Sequence, residues 1–261
     1  MKQTALVTGA ASGLGYELAI LLAKDKYTLF LVDIDEDKLK DVKSELEQSH
    51  GVEVITIAKD LSKPNVAIEI METVNQPLDV LINNAGFGLF GSFVETNWER
   101  ELQMLNVHVL SATHLTKLAL QGMVKRGSGK ILNMSSLAAF QPGPLMSIYY
   151  ASKGYMLSFT EAIANELKGT GVTVTALCPG PTKTAFQETV SANTSENKIK
   201  FNMGCAASVA EYGYKAMQKG KPYAIPGTFN KFLATLPRLI PRNMAATIVR
   251  KLQEKNRNDQ H

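Results

Sequence analysis

Short apolar runs rich in β-branched residues alternate, up to about residue 180, with longer segments whose apolar positions recur every three or four residues. The short runs predict strands over 5–8, 28–32, 52–58, 80–83, 130–133 and 172–178. The periodic segments predict helices over 14–24, 36–48, 66–74, 98–125 and 150–167. Strand–helix alternation of this kind implies an α/β fold of the Rossmann type. Its doubly wound parallel sheet carries right-handed crossovers and helices on both faces, giving three layers. No repeat or boundary interrupts the pattern, so residues 1–261 are expected to form a single domain. Beyond residue 180 the pattern changes. A polar stretch over 184–200 is followed by a helical segment at 206–218, a short strand candidate at 223–225 and an apolar segment over 229–253 broken by Pro237 and Pro241. The span 184–225 is expected to cover a substrate site, and 226–261 to form a basic C-terminal extension.

Composition adds boundaries to this picture. With 45% hydrophobic and 20% charged residues the chain reads as an ordinary globular protein. Two cysteines, Cys178 and Cys205, imply no disulfide framework. No apolar run is long enough to span a membrane, and residues 1–4 lack the features of a secretory leader, so a cytoplasmic location is expected. The net charge of +4 is uneven: residues 215–261 carry ten Lys/Arg against two Asp/Glu. Nothing in this distribution suggests nucleic-acid binding. The four histidines and two cysteines show no metal-ligand spacing, and no metal is expected. His108 and His114 are six apart on one helix and read as packed or surface residues.

The first strand runs into Thr8-Gly9-Ala10-Ala11-Ser12-Gly13-Leu14-Gly15 and then a helix. Small residues between a strand and a helix let the backbone approach a pyrophosphate, which the free N–H groups and dipole of the helix N-terminus favour. The spacing is Gly-x-x-x-Gly-x-Gly rather than the more familiar Gly-x-Gly-x-x-Gly. The second strand ends on Asp33, where a carboxylate can accept hydrogen bonds from an adenosine ribose and repels a 2′-phosphate. Together these point to NAD as cofactor, with NADP as the alternative.

Tyr149-Tyr150-Ala151-Ser152-Lys153 places an aromatic hydroxyl and an ammonium four residues apart, on one helix face. A nearby positive charge favours tyrosinate and makes a tyrosine usable as a general acid/base for a carbonyl/alcohol pair.

Taken together, these motifs resemble those of the short-chain dehydrogenase/reductase family, from about Thr4 to Thr184. Gly9, Ser12, Gly13, Leu14 and Gly15 match its cofactor-binding turn, and Asp60-Leu61 its adenine-contacting pair. Asn83-Asn84-Ala85-Gly86 matches the family's Asn-Asn-Ala-Gly motif, with Asn83, Ala85 and Gly86 implied in cofactor binding. Asn106 matches the catalytic asparagine. Ser136 lies 13 residues before Tyr149, the family's serine–tyrosine spacing, and Tyr149 to Lys153 match Tyr-x-Ala-Ser-Lys. This picks Tyr149 over Tyr150. Pro179, Gly180, Thr182 and Thr184 resemble the segment that holds the nicotinamide carboxamide, with Thr182 where the family commonly has Val. The resemblance implies a secondary alcohol/ketone oxidoreductase in which Ser136 orients the substrate oxygen and Tyr149 exchanges its proton. Lys153 binds the nicotinamide ribose, and Asn106 holds a water that links Lys153 to solvent. It also implies a homodimer or homotetramer built on the helices over 98–125 and 150–167.

Within that family, the contexts of Gly86 and Pro142 resemble bacterial reductases related to ketoacyl and steroid reductases. Many of those relatives carry a basic residue after the second strand, where this chain has Asp33-Ile34-Asp35. Phe87, Phe140, Met146 and Phe186 are candidates for a fairly apolar substrate pocket, and Met203 a further one. Phe229, Phe232, Leu233, Leu236 and Ile240, interleaved with Lys231, Arg238 and Arg242, suit either a docked amphipathic segment or a surface for anionic lipid or an acyl-CoA-like substrate. Two other functions compete. A nucleotide-sugar epimerase or dehydratase shares the Tyr/Lys pair but has differently spaced glycines. A non-catalytic dinucleotide sensor would be favoured by loss of Ser136, Tyr149 or Lys153, all of which are present.

Overall fold

The computed structural model describes residues 2–182 and 204–258. Seven parallel strands, β1 (Thr4–Thr8), β2 (Thr28–Asp33), β3 (Val54–Ala58), β4 (Val80–Asn83), β5 (Gly129–Met134), β6 (Val172–Leu177) and β7 (Tyr223–Ala224), form one sheet in the order β3-β2-β1-β4-β5-β6-β7. The central strands are buried on both sides, as continuous apolar runs such as Leu29–Val32 require. Helices α1 (Gly13–Lys24), α2 (Glu36–His50) and α7 (Ala206–Gln218) pack on one face around Leu18, Leu22, Leu39 and Met217. Helices α3 (Val66–Val74), α5 (Ala112–Arg126) and α6 (Ser147–Glu166) pack on the other around Leu81, Leu115, Ile131 and Ile163.

The expected elements are present, with two differences. The long helix over 98–125 is α4 (Trp98–Leu105) joined to α5 by a π-helical turn, Asn106–Ser111, so side chains beyond Leu105 shift around the axis. Within the span 184–225, α7 is not a cover: Val209, Ala210, Tyr214 and Met217 are buried, the last three in the core beside α1. The chain after β7 forms α8 (Thr228–Thr235), a short 3₁₀ turn and α9 (Arg242–Asn258), interrupted at Pro237 and Pro241 as expected.

Candidate active site

Sheet order reverses at β1, which lies between β2 and β4. The crevice beyond the strand ends at such a reversal is the usual ligand position in open α/β sheets. Here it is a cavity of about 850 Å³ lined by Gly9, Asp33, Asn84, Met134 and Pro179, which follow or close β1, β2, β4, β5 and β6. At one end, Gly9 has φ +66°, and a Cβ there would meet the Cα of Ala85 at 2.8 Å. A Cβ on Gly15 would sit 2.0 Å from the Gly9 carbonyl oxygen, so only glycine lets α1 start this close to β1. Gly15 therefore lies behind the wall that Ser12, Gly13 and Leu14 form. Ser12 is the N-cap of α1 without a side-chain capping bond, which leaves its hydroxyl and the first-turn N–H groups to an anion.

Backbone N–H groups anchor Asp33: Ala11 donates to Oδ2 at 3.0 Å, and Ile34 and Asp35 to Oδ1 at 2.8 and 3.2 Å. Asp60 and Leu61 line the same end. Burial would raise the Asp60 carboxyl, but hydrogen bonds from Ser62 and the nearby Lys63 hold it below the usual carboxylate range. Ala85 and Gly86 complete this wall. The glycine cradle, the uncapped helix start and the fixed carboxylate suit a dinucleotide.

The motif at β4 divides its labour differently from the expectation. The Asn83 side chain turns away from the cavity into the helix-covered face, donating to Thr116 Oγ1 and Asn133 Oδ1, both at 2.9 Å, and to Ala112 O at 3.2 Å. Strand alternation places Asn83 on the face shared with Leu81, so it acts as a strut between β4, β5 and α5. Asn84, on the opposite face, reaches the cavity and donates to the carbonyls of Thr8 and Gly9 at 3.0 and 3.1 Å. Thr8 Oγ1 in turn accepts from the N–H groups of Asn84 and Ala85.

Tyr149 and Lys153 occupy the first two turns of α6, with the Lys153 ammonium 5.7 Å from the centre of the Tyr149 ring. Lys153 is buried and donates to the Met134 carbonyl at 3.1 Å. The Ser136 hydroxyl hydrogen-bonds Tyr149 and accepts from Ala138 N–H at 3.1 Å. The electrostatics differ from what spacing alone suggests. Burial pushes the Tyr149 hydroxyl up to about 12, against the opposing Ser136 hydrogen bond, and pulls Lys153 down to about 8. Desolvation thus outweighs the Ser136 hydrogen bond at Tyr149 and disfavours the charged form of both side chains. Asn106 is not brought to this set: at the start of the π turn, its side chain donates to the Ser62 carbonyl at 3.0 Å.

Instead, the π turn delivers His108, which is buried. His108 Nε2 accepts from Phe87 N–H at 3.0 Å, so the proton sits on Nδ1, 2.9 Å from Ser152 Oγ. Ser152 Oγ donates to the Tyr149 carbonyl at 2.7 Å. This chain of bonds ties the loop after β4 to the backbone of Tyr149. Burial, then the Lys153 charge, holds the imidazole well below its ordinary value and neutral. Sequence reading could not distinguish this histidine from an ordinary packed one, because the π turn that aims it leaves no compositional mark.

The other end of the cavity is apolar. Phe87 and Met146 line it as expected, whereas Phe140 packs away from it among Leu157, Ile225 and Ala234. Pro179, Gly180 and Thr182 line the floor. Thr184, Phe186 and Met203, with the rest of the polar stretch, lie outside the described residues. Leu233, Leu236, Ile240, Val249 and Leu252 form the far wall, so the segment read as an extension encloses the site. Gln253 fastens α9 there by donating to the Tyr150 hydroxyl at 3.0 Å.

Residues 3–195 match the short chain dehydrogenase family. A ketoacyl reductase, HetN, of Nostoc sp. is 35% identical over 181 residues, covering 68% of this chain and 63% of that protein. A diacetyl reductase ((S)-acetoin forming) of Staphylococcus epidermidis is 33% identical over 194 residues, covering 73% and 75%. The fold is that of a short-chain dehydrogenase from Sphingobium yanoikuyae solved in complex with NADPH, with TM-score 0.79, 24% identity, and coverage of 99% and 98%. The match in sequence spans less than two thirds of the ketoacyl reductase; the family match over residues 3–195 takes in the glycine turn, Ser136, Tyr149 and Lys153, and this chain belongs to the short-chain dehydrogenase family.

Proposed function

We infer that this chain interconverts an apolar ketone and its secondary alcohol, with NAD as the preferred cofactor, in one catalytic unit. The observation that carries this reading is the Ser136–Tyr149–Lys153 set, with half-buried hydroxyls and a buried ammonium, between a dinucleotide cradle and an apolar wall. The nicotinamide supplies or accepts the hydride when bound. Ser136 and the Tyr149 hydroxyl present hydrogen-bond donors to the substrate oxygen. In reduction Tyr149 gives that oxygen its proton, and in oxidation it takes the proton back. Lys153 holds positive charge beside the ring and offers an ammonium to the nicotinamide ribose. The relay water assigned to Asn106 finds no support in its side chain, which is committed to Ser62.

Asp33 supports NAD. Its three backbone donors fix a carboxylate where a 2′-phosphate would approach. Lys59 lines the same end, but its ammonium pairs with Glu69 at 2.6 Å. An apolar substrate is supported by Phe87, Met146 and the α8–α9 wall, and a carbonyl by the resemblance to ketoacyl and diacetyl reductases. Trp98 and Leu102 on α4, Leu110 in the π turn and Tyr155 on α6 are exposed, which supports self-association of copies through these helices.

The test is a carbonyl panel followed by nicotinamide absorbance. Tyr149→Phe is expected to lower kcat by about 10²–10⁴-fold while leaving NADH affinity intact. Near-normal turnover in that variant overturns the assignment of Tyr149, and a strong NADPH preference in the unaltered enzyme overturns the reading of Asp33.

A further inference from the structure

The helices that wall the cavity also turn apolar residues outward. On α8, Phe229 and Phe232 are 69% and 58% exposed, and Leu239, just after the 3₁₀ turn, is 75% exposed. On α9, Met244, Ile248 and Leu252 recur at four-residue steps as an exposed stripe beside the buried Ala245 and Val249. Both helices reach the cavity. Leu233, Leu236, Ile248 and Leu252 are exposed and at the same time line it, so its mouth opens within the apolar face. A continuous exposed apolar face marks a contact site.

Charge identifies what the contact is with. Residues 228–255 carry six cations, Lys231, Arg238, Arg242, Arg250, Lys251 and Lys255, and one acid, Glu254, which is bonded to Arg250. By helical spacing Lys251 and Lys255 continue the face that carries Met244 and Ile248, where their stems can cover apolar surface while the ammonium groups reach outward. A second copy of this face would set like charges against each other, and α4–α6 already offer a separate surface for self-association. No helix among the described residues is long and apolar enough to cross a membrane. Exposed apolar residues interspersed with cations fit the surface of an anionic bilayer.

We propose that α8 and α9 form a docking face that seats on an anionic bilayer and opens the cavity mouth onto the lipid, so that an apolar carbonyl or alcohol enters the site from the membrane. Docking stands on the surface alone, while delivery of the substrate rests on the oxidoreductase reading above.

The experiment is sedimentation of the full chain with vesicles of phosphatidylcholine, alone or with equimolar phosphatidylglycerol. A variant carrying Phe229→Ser, Phe232→Ser and Leu239→Ser is run beside it; none of the three residues lines the cavity. Binding is expected only to the anionic vesicles, weakening as salt is raised, and falling by about tenfold or more in the variant. The variant should keep its turnover of a water-soluble ketone and lose turnover of a long-chain ketone dissolved in the vesicles. Absence of binding at low salt, or binding that survives the three substitutions, overturns the proposal. So does loss of self-association in the variant without any vesicle binding, which gives the face to a second copy. Vesicle binding by a chain with no oxidoreductase activity upholds docking and refutes the catalytic reading instead.

Discussion

Replacing His108 separates its two bonds and reports on the neutrality that burial imposes. His108→Phe leaves the Phe87 N–H without its acceptor and removes the donor to Ser152. An orphaned partly buried N–H costs about 1–3 kcal/mol and the second bond contributes about 0.5–1.5 kcal/mol, so a loss of roughly 2–4 kcal/mol is expected near pH 8. His108→Gln places an acceptor near Nε2 and His108→Asn a donor near Nδ1, so each should recover part of that loss. The pH dependence follows from the depressed imidazole. Above the free value of 6.5 the ring is neutral in both folded and unfolded chains and contributes no slope. Below it, the unfolded chain binds a proton that the folded chain excludes, so stability falls as pH falls. The gap between the unaltered protein and His108→Phe should therefore narrow by about 1 kcal/mol between pH 7.5 and 5.5. Urea unfolding followed by circular dichroism at both pH values measures it. A gap that does not change with pH, or equal stability of all three variants, refutes the buried neutral bridge.

Other residues yield direct tests. Asn83→Ala removes three buried hydrogen bonds and should cost about 2 kcal/mol or more in urea unfolding, with NADH affinity unchanged; weakened NADH binding at unchanged stability would restore the cofactor role expected from the motif. Cys178 is buried, with its thiol pushed up to about 12 by burial, whereas Cys205 is exposed. Ellman's reagent should therefore titrate one thiol in the folded protein and two in denaturant. Alcohol oxidation releases a proton, so the ratio of oxidation to reduction rises about tenfold per pH unit. With Tyr149 raised to about 12 and protonated at neutral pH, that slope should fall on oxidation, leaving reduction flat when cofactor and substrate are both limiting. Oxidation flat and reduction falling from pH 7 to 9 would place Tyr149 far lower.

The sequence made most elements legible because their signals are local. Buried parallel strands are short β-branched runs, and α3, β4 and α7 coincide with the segments that periodicity predicts. Gly9, Gly13 and Ser136–Tyr149–Lys153 were legible because each role demands a residue type at fixed spacing. What was lost depends on which way a side chain points. Asn83 and Asn84 are adjacent and chemically identical, and only strand alternation sends the first into the core and the second to the cavity. The π turn moves Asn106 towards Ser62 and His108 under Tyr149, and a single inserted residue in a helix has no periodic signature to read. Spacing also overstated the tyrosine–lysine electrostatics, since it reports proximity but not the burial that opposes both charges.

Part of the cavity wall belongs to a part of the chain which the family match does not reach. The match ends at residue 195, and the alignments to the two reductases span 181 and 194 residues. The apolar wall runs from Leu233 to Leu252, and the bond of Gln253 to Tyr150 fixes α9 beside Tyr149. The cavity is therefore composite. Its glycine-lined end follows from strand ends and turns within the matched region, while its apolar end is built largely by α8 and α9. Proteins sharing the first half can share hydride chemistry and differ in everything that selects the carbonyl. On the proposed reading, the face that α8 and α9 turn inward selects the substrate, and the face they turn outward sets its route of entry.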